Sequence, residues 1–252
     1  MGSNKLRRKS KSAAVYIPIA ILLIIVLVTL GISVFLKIVE IEVIGASLYT
    51  KEEIITASGI MTGDNMLLIN ADDVSRRIYS AMPYIDEVNI KLSPPDLVSI
   101  NVTETRAMAA INYPGGAFMI DSTCRVLEKA EIARESLIEI RGFIPVDVAV
   151  GDMLKANPGD DTRLKYLKEV LDAIGQEGIY KDVLFIDVAS IANINFLYGG
   201  RFTVIIGTPD NMRYKLSSLK DIITDIKTRS SGDETWTIYM TDREPWRWAP
   251  DR

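Results

Sequence analysis

From Ser12 to Leu36 the chain carries no charged residue, and Ala13–Leu36 reads AAVYIPIAILLIIVLVTLGISVFL. A run this apolar, with no polar stripe, has no wet face to offer and cannot pack as an ordinary amphipathic surface helix. At the α-helical rise it reaches ~36 Å, enough to cross a ~30 Å hydrocarbon core with some tilt. Pro18 stands near its start, where one lost backbone donor is accommodated. Five basic residues (Lys5, Arg7, Arg8, Lys9, Lys11) and no acid precede it, while Lys37, Glu40 and Glu42 follow. The positive-inside rule then puts the N-terminus in the cytoplasm and all that follows residue 36 outside. The run is too long, and Lys-Ile-Val-Glu too poor a cleavage context, for a removed signal peptide. The expectation is a single-pass, type II cell-membrane protein.

Composition narrows what the outer part can do. There is no histidine and one cysteine in 252 residues. That excludes Ser-His-Asp and Cys-His catalysis, His-ligated metals, an intrachain disulfide and a cysteine-bound cluster. No glycine-rich phosphate loop occurs, and no cofactor or metal is expected. Outside the membrane run, 24 basic residues face 33 acidic ones, a net of −9 that disfavours nucleic acid and anionic lipid as general partners. Cys124 reads as a small, half-buried apolar residue.

The pattern after the run is α+β. Ile38–Ile44 alternates as a strand, ended by Gly45. Thr50-Lys-Glu-Glu53 is a capping box for a short helix with Ile54, Ile55 and Ala57 inward, closed by Gly59. Asn70 opens a second helix with Val74, Ile78 and Met82 on one face, and Pro83 ends it. Val88–Leu92 and Leu97–Glu104 read as strands around a turn at 93–96, completing a β-α-α-β-β module. The longer region beyond is mixed. Ala117–Ile120, Arg125–Leu127, Ile186–Ala189, Ile194–Tyr198, Phe202–Ile206 and Thr235–Met240 read as strands, and Gly199-Gly200 as a hairpin turn. Leu164, Leu167, Leu171 and Ile174 mark one helix, starting at Asp160/Asp161 and ending at Gly175; Met212, Leu216, Leu219, Ile223 and Ile226 mark another over 211–228.

Chemistry-bearing patterns are sparse. Ser217-Ser-Leu-Lys220 matches the Ser-x-x-Lys of penicillin-interacting enzymes, but the companion Ser-x-Asn and Lys-Thr-Gly are missing downstream. Glu52/Glu53, Asp72/Asp73 and Asp160/Asp161 stand at helix starts, where acids complement the macrodipole, so capping is the expected role of each. The alternative is a cell-wall hydrolase or transferase using carboxylates alone. Two of the three tryptophans, Trp246 and Trp248, fall in the last seven residues with Arg247 between them. They either plug the domain core or serve as aromatic and Arg interface anchors on a terminal edge strand.

The order of these features resembles the FtsQ/DivIB family of bacterial division proteins. The marks are Ile41-x-Val43-x-Gly45, Met82-Pro83-Tyr84-Ile85-x-x-Val88, and Pro95-Asp96-Leu97 leading to Val102-x-Glu104-x-x-Ala107. Ile120-Asp121 with Val126-Leu127, Ile140-x-Gly142, Gly151-Asp152 and the closing Trp248-Ala249-Pro250 continue the match. Ser122-Thr123-Cys124 stands where the family usually has a glycine turn, and a long C-terminal extension of the kind some members carry is not expected. The resemblance implies a cytoplasmic segment 1–12, a transmembrane helix 13–36, a POTRA-like domain 37–107 and a largely antiparallel β domain 108–252 with packed helices. It implies a non-enzymatic divisome scaffold at the septum. Its C-terminal edge would accept a strand from an FtsB/DivIC-like single-pass partner that pairs with FtsL. Tyr239, Thr241, Trp246, Arg247 and Trp248 are then the expected contact residues. A chaperone or translocation adaptor is disfavoured, since tandem POTRA modules or a β-barrel would accompany it.

Overall fold

The structure, a computed structural model, describes residues 13–230, 232, 234–241 and 245–251. The basic segment 1–12, and residues 231 and 233 of the polar linker, lie outside the described residues. The apolar run forms helix α1 (Ala13–Phe35), whose side chains are described at 16–27, 31 and 35, those of 16–27 all exposed. Among the described residues no helix is long and apolar enough to cross a membrane.

The described chain, α1 included, divides into two compact units, one made of the described residues up to Ala81 together with 85–104, the other of 82–84 and the described residues from Thr105 on. The first builds a three-stranded sheet from β1 (Glu40–Ile44), β2 (Ile85–Ser93) and β3 (Leu97–Glu104), with α2 (Lys51–Ser58) and α3 (Ala71–Ala81) packed on it. β3 is central, parallel to β1 and antiparallel to β2. The Thr50–Glu53 capping box forms in both directions, and hydrogen bonds from Thr50 hold the Glu53 carboxyl below the usual glutamate range. Ile54 and Ser58 are the buried positions of α2, while Ile55 and Ala57 are only half-buried, a correction of the inward face by one position. Asn70 caps α3 through Oδ1, and Val74, Ile78 and Met82 are buried as their spacing requires. Gly45 has φ +93° and lies against β3; a Cβ there would fall 2.1 Å from the Val102 carbonyl oxygen, so no other residue fits.

The second unit is a nine-stranded mixed sheet in the order β12-β11-β10-β9-β8-β7-β4-β5-β6. Its strands are β4 (Ala109–Tyr113), β5 (Gly116–Ile120), β6 (Val126–Ala130), β7 (Ile138–Arg141), β8 (Val183–Asp187), β9 (Ile194–Tyr198), β10 (Phe202–Gly207), β11 (Trp236–Tyr239) and β12 (Arg247–Pro250). Helices α4 (Asp161–Gln176) and α5 (Met212–Arg229) share one apolar core with the strands. One row of directly paired residues runs across that core face: Phe118, Ile111, Ile140, Ile186, Phe196, Val204, Ile238 and Trp248. All but Trp248 are buried. Gly142, at φ +77°, lets β7 turn away beside Ala189, whose backbone nitrogen would sit 2.3 Å from an added Cβ.

Three strands go beyond the sequence reading. β4 has Ala109, Ala110 and Ile111 buried in succession, so no alternation marks it, and β7 and β12 have four residues each. β8 begins at Val183, three residues before its expected start, because Val183–Ile186 is apolar without a period. Cys124 is buried rather than half-buried, and burial together with the Asp121 charge pushes its thiol up to about 12.

Candidate functional site

The sequence reading makes 235–240 the terminal edge. The structure corrects this: β11 is parallel to β10 on one side and antiparallel to β12 on the other, which leaves the edge to β12. A four-residue segment ending in proline gives no strand signal of its own, which is why the pattern stopped one strand short.

Hydrogen-bond alternation fixes what that edge presents. The Asp251 N–H donates to the Thr235 carbonyl at 2.9 Å, whereas the Trp236 and Met240 N–H groups donate to Arg201 and Ile205 on the β10 side. Odd-numbered residues of β11 therefore face β12, and their partners Arg247 and Ala249 turn their backbone groups inward to β11. Trp248 and Pro250 turn theirs outward. Pro250 has no N–H, so Trp248 supplies the outward donor of β12, and the carbonyls of both residues supply acceptors.

The five expected residues are partly brought together. Tyr239 and Arg247 form a cross-strand pair on the sheet face away from the helices, with the guanidinium carbon 4.9 Å from the ring centroid. Trp248 lies on the opposite, helix-side face beside Ile238 and is 37% exposed. Trp246 is half-buried against the core, tilted on Tyr214 of α5 at 5.2 Å between centroids. So Trp246 is in part a core plug and Trp248 is not. Thr241 follows β11 and packs its methyl toward Gly207 at the end of β10. Sequence reasoning missed Tyr214, 65% exposed on α5, and Asp251, whose carboxylate accepts from the Thr237 hydroxyl at 2.7 Å. Tyr214 lies two residues past Met212 on the outward face of a helix, a position that pattern alone assigns to solvent.

The enzymatic patterns resolve into structural contacts. The Ser217 hydroxyl donates to the Tyr214 carbonyl, while the Lys220 ammonium is 3.0 Å from the Glu177 carboxylate. Asp73 pairs with Arg76. Asp160 makes no side-chain cap and pairs instead with Arg163 at 2.6 Å, which corrects its expected role. Among the described residues no cluster of three acidic or thiol side chains is placed to hold a metal.

The family model for the FtsQ-type POTRA domain matches residues 36–105. The cell division protein DivIB of Clostridium botulinum (strain Hall) is 32% identical over 223 residues, covering 87% of this chain and 85% of that protein. The chain belongs to the FtsQ/DivIB family. A second DivIB, from Clostridium acetobutylicum, is 27% identical over 203 residues, 80% of this chain and 79% of that one. FtsQ of Geobacter sp. (strain M21) is 28% identical over 171 residues, 67% of this chain and 57% of its own. Within this FtsQ/DivIB chain the POTRA match and the three-stranded unit coincide closely, since β1 and β3 both fall inside 36–105.

Proposed function

We propose that this FtsQ/DivIB-family protein is a non-enzymatic scaffold of the bacterial divisome. Helix α1 anchors it in the cell membrane as a type II, single-pass protein at the septum, and the bare edge of β12 takes up a strand from an FtsB/DivIC-like partner paired with FtsL. The anchor is supported by an uncharged helix whose twelve successive side chains at 16–27 are all exposed, a surface that only lipid or a large partner would cover. The docking edge is supported by one observation above the rest. The core-face row from Phe118 to Ile238 is buried rung by rung and ends at Trp248, which is exposed because no ninth rung follows. An added strand with an apolar side chain opposite Trp248 continues the row, while its backbone meets the Trp248 N–H and C=O. The paired acids do not favour the carboxylate hydrolase, since Glu53, Asp73 and Asp160 are each held by a neighbour.

The test is co-purification of the full detergent-solubilised chain with the outer segments of FtsB/DivIC- and FtsL-like proteins from the same cell. Binding that is retained by the wild-type chain and lost by Trp248→Pro supports the reading. Binding indifferent to every substitution in β12 removes the docking edge from it.

A further inference from the structure

We infer that the loop of residues 61–68 is a second membrane contact, seating the three-stranded unit on the outer leaflet beside the point where α1 leaves the bilayer. The inference rests on α1 being the membrane anchor proposed above.

The loop is tied to the exit of the helix. α1 ends at Phe35. The next residue, Leu36, accepts from the Met66 N–H at 2.9 Å; Ile38 accepts from the Gly63 N–H at 2.7 Å and donates to the Asp64 carbonyl at 2.9 Å; and Lys37 bridges Asn65 in antiparallel sense. Residues 63–66 therefore run alongside 36–38. Leu67 and Leu68 follow within one and two residues of Met66, at most ~8 Å along the chain, so they cannot lie far from the bilayer surface if α1 spans it.

What the loop presents there is apolar. Met61, Leu67 and Leu68 are 68%, 63% and 82% exposed, and Val39, just past the tie, is 64% exposed. Met66, by contrast, is buried in the unit's own core, so the short helical turn Met66–Leu68 sends one side chain inward and two out. The lone acid of the loop, Asp64, is turned back on the Met61 N–H at 2.9 Å. Lys37, exposed, is placed to reach headgroups.

The backbone is prepared for a poorly hydrated setting as well. The N–H of Met61 donates to Asp64 Oδ2, Leu67 to Asn65 Oδ1, Asp64 to the Met61 carbonyl, Leu68 to the Asn65 carbonyl and Ile69 to the Met66 carbonyl. With Gly63 and Met66 bonded to 36–38, six donors of this short loop, and that of Ile69 just past it, are satisfied within the protein. Exposed loops are usually hydrated, and a loop that closes its own polar groups while showing three large apolar side chains loses little on entering the headgroup and acyl boundary.

The test uses the full chain in vesicles of phosphatidylethanolamine and phosphatidylglycerol. Cys124 is 2% exposed with its thiol pushed up to about 12, so a new surface cysteine is labelled selectively at neutral pH. Leu68→Cys and Leu48→Cys are each labelled with a polarity-sensitive fluorophore. Leu48 is 58% exposed and lies past the opposite end of β1, about 13 Å farther along the strand. The expected result is a blue-shifted probe at 68, quenched by lipids spin-labelled near the headgroup and several-fold less quenched by aqueous iodide than the probe at 48. A chain that floats with the vesicles after carbonate extraction, yet gives equal iodide access at both positions, overturns the contact and leaves the anchor standing. A chain that fails to float overturns both.

Discussion

The nine-stranded sheet ends differently on its two sides. At the β6 edge a return segment covers the strand: Val126 donates to the Asp152 carbonyl at 2.8 Å, Gly151 donates to the Val126 carbonyl at 2.7 Å, and Leu154 donates to Cys124 at 2.8 Å. Farther along that strand stand Glu128, which pairs with Arg134 at 2.5 Å, and Lys129, charges that discourage strand addition. At the β12 edge no return segment is present among the described residues, and the outward residues are an exposed tryptophan and a proline. A fold that guards one edge with main chain and leaves the other open treats the two as different surfaces. The teaching is that exposure of β12 is not a general failure to protect edges, because the same chain protects β6.

The largest expected effect comes from moving a proline by one residue. Trp248→Pro removes the outward donor of β12 and leaves the ladder to β11 intact. Arg247→Pro removes an inward donor and breaks that ladder. The first is expected to abolish partner co-purification, a loss of at least ~100-fold if strand addition carries the affinity, while lowering the melting temperature no more than Trp248→Ala does. The second should lower the melting temperature along with binding. Equal behaviour of the two would break the contrast between inward and outward groups. Trp248→Ala, which keeps the N–H, should bind with intermediate strength.

The converse experiment opens the guarded edge. Gly151 has φ +93° and donates to Val126; Gly151→Pro removes the donor and cannot take that backbone conformation. We expect a destabilisation of about 2–4 kcal/mol by denaturant titration, faster exchange of the Val126 amide, and concentration-dependent self-association in sedimentation. A monomer with a slow Val126 amide would mean that the segment 151–154 is not what protects β6.

These contrasts separate the parts of the fold that the sequence makes legible from those it does not. Most of the first unit is legible because its elements carry local signals: the Thr50–Glu53 box, the Asn70 cap, and the alternation in Leu97–Glu104, which forms β3 over those same residues; β2, however, starts at Ile85, three residues before the Val88 start that the pattern gives. Likewise Ile194–Tyr198 and the hairpin at Gly199-Gly200 were visible, since both glycines take the positive φ the turn needs. β4, β7 and β12 were not. Their strand character comes from neighbours distant in sequence, and a buried Ala-Ala-Ile or an Arg-Trp-Ala-Pro carries no period of its own. The site was therefore half legible. The aromatic and Arg residues of the proposed edge stand out in the sequence, but the strand they form does not, nor does the outward turn of the Trp248 backbone on which the proposal rests.

A third way of disposing of backbone donors lies in the first unit. Glu104 accepts from the N–H groups of Ser47, Leu48 and Tyr49 and from the Ser47 hydroxyl. Burial raises its carboxyl, but the hydrogen bonds from Ser47, Leu48 and Tyr49 outweigh that and hold it below the usual glutamate range. A carboxyl with a folded pKa below its unfolded one contributes stability that is fully present above the unfolded value. That stability is lost as pH falls through the lowered one. The 47–49 amides should thus exchange slowly at neutral pH and lose protection as the pH drops from the ordinary glutamate range downward. Glu104→Gln should cost about 1–2 kcal/mol at pH 7, and should flatten that pH dependence. An unchanged acid profile in the variant would show that these donors are held some other way, and the guarded class would shrink to β6.

The smallest effect expected is at Arg247. Its guanidinium lies over Tyr239 on the face opposite Trp248, so it can hold β12 against β11 without lying on the path of an added strand. An exposed cation–π pair is worth about 0.5–1 kcal/mol, and a double-mutant cycle with Arg247→Ala and Tyr239→Leu should return a coupling of that size in stability. The same cycle read in partner binding separates two roles that a single substitution confounds. A coupling seen in stability alone makes the pair a brace for the edge, and binding then weakens no more than the brace loosens. A larger coupling in binding than in stability would mean that the partner itself touches the pair, and that docking reaches across the open face of the sheet as well as along its edge.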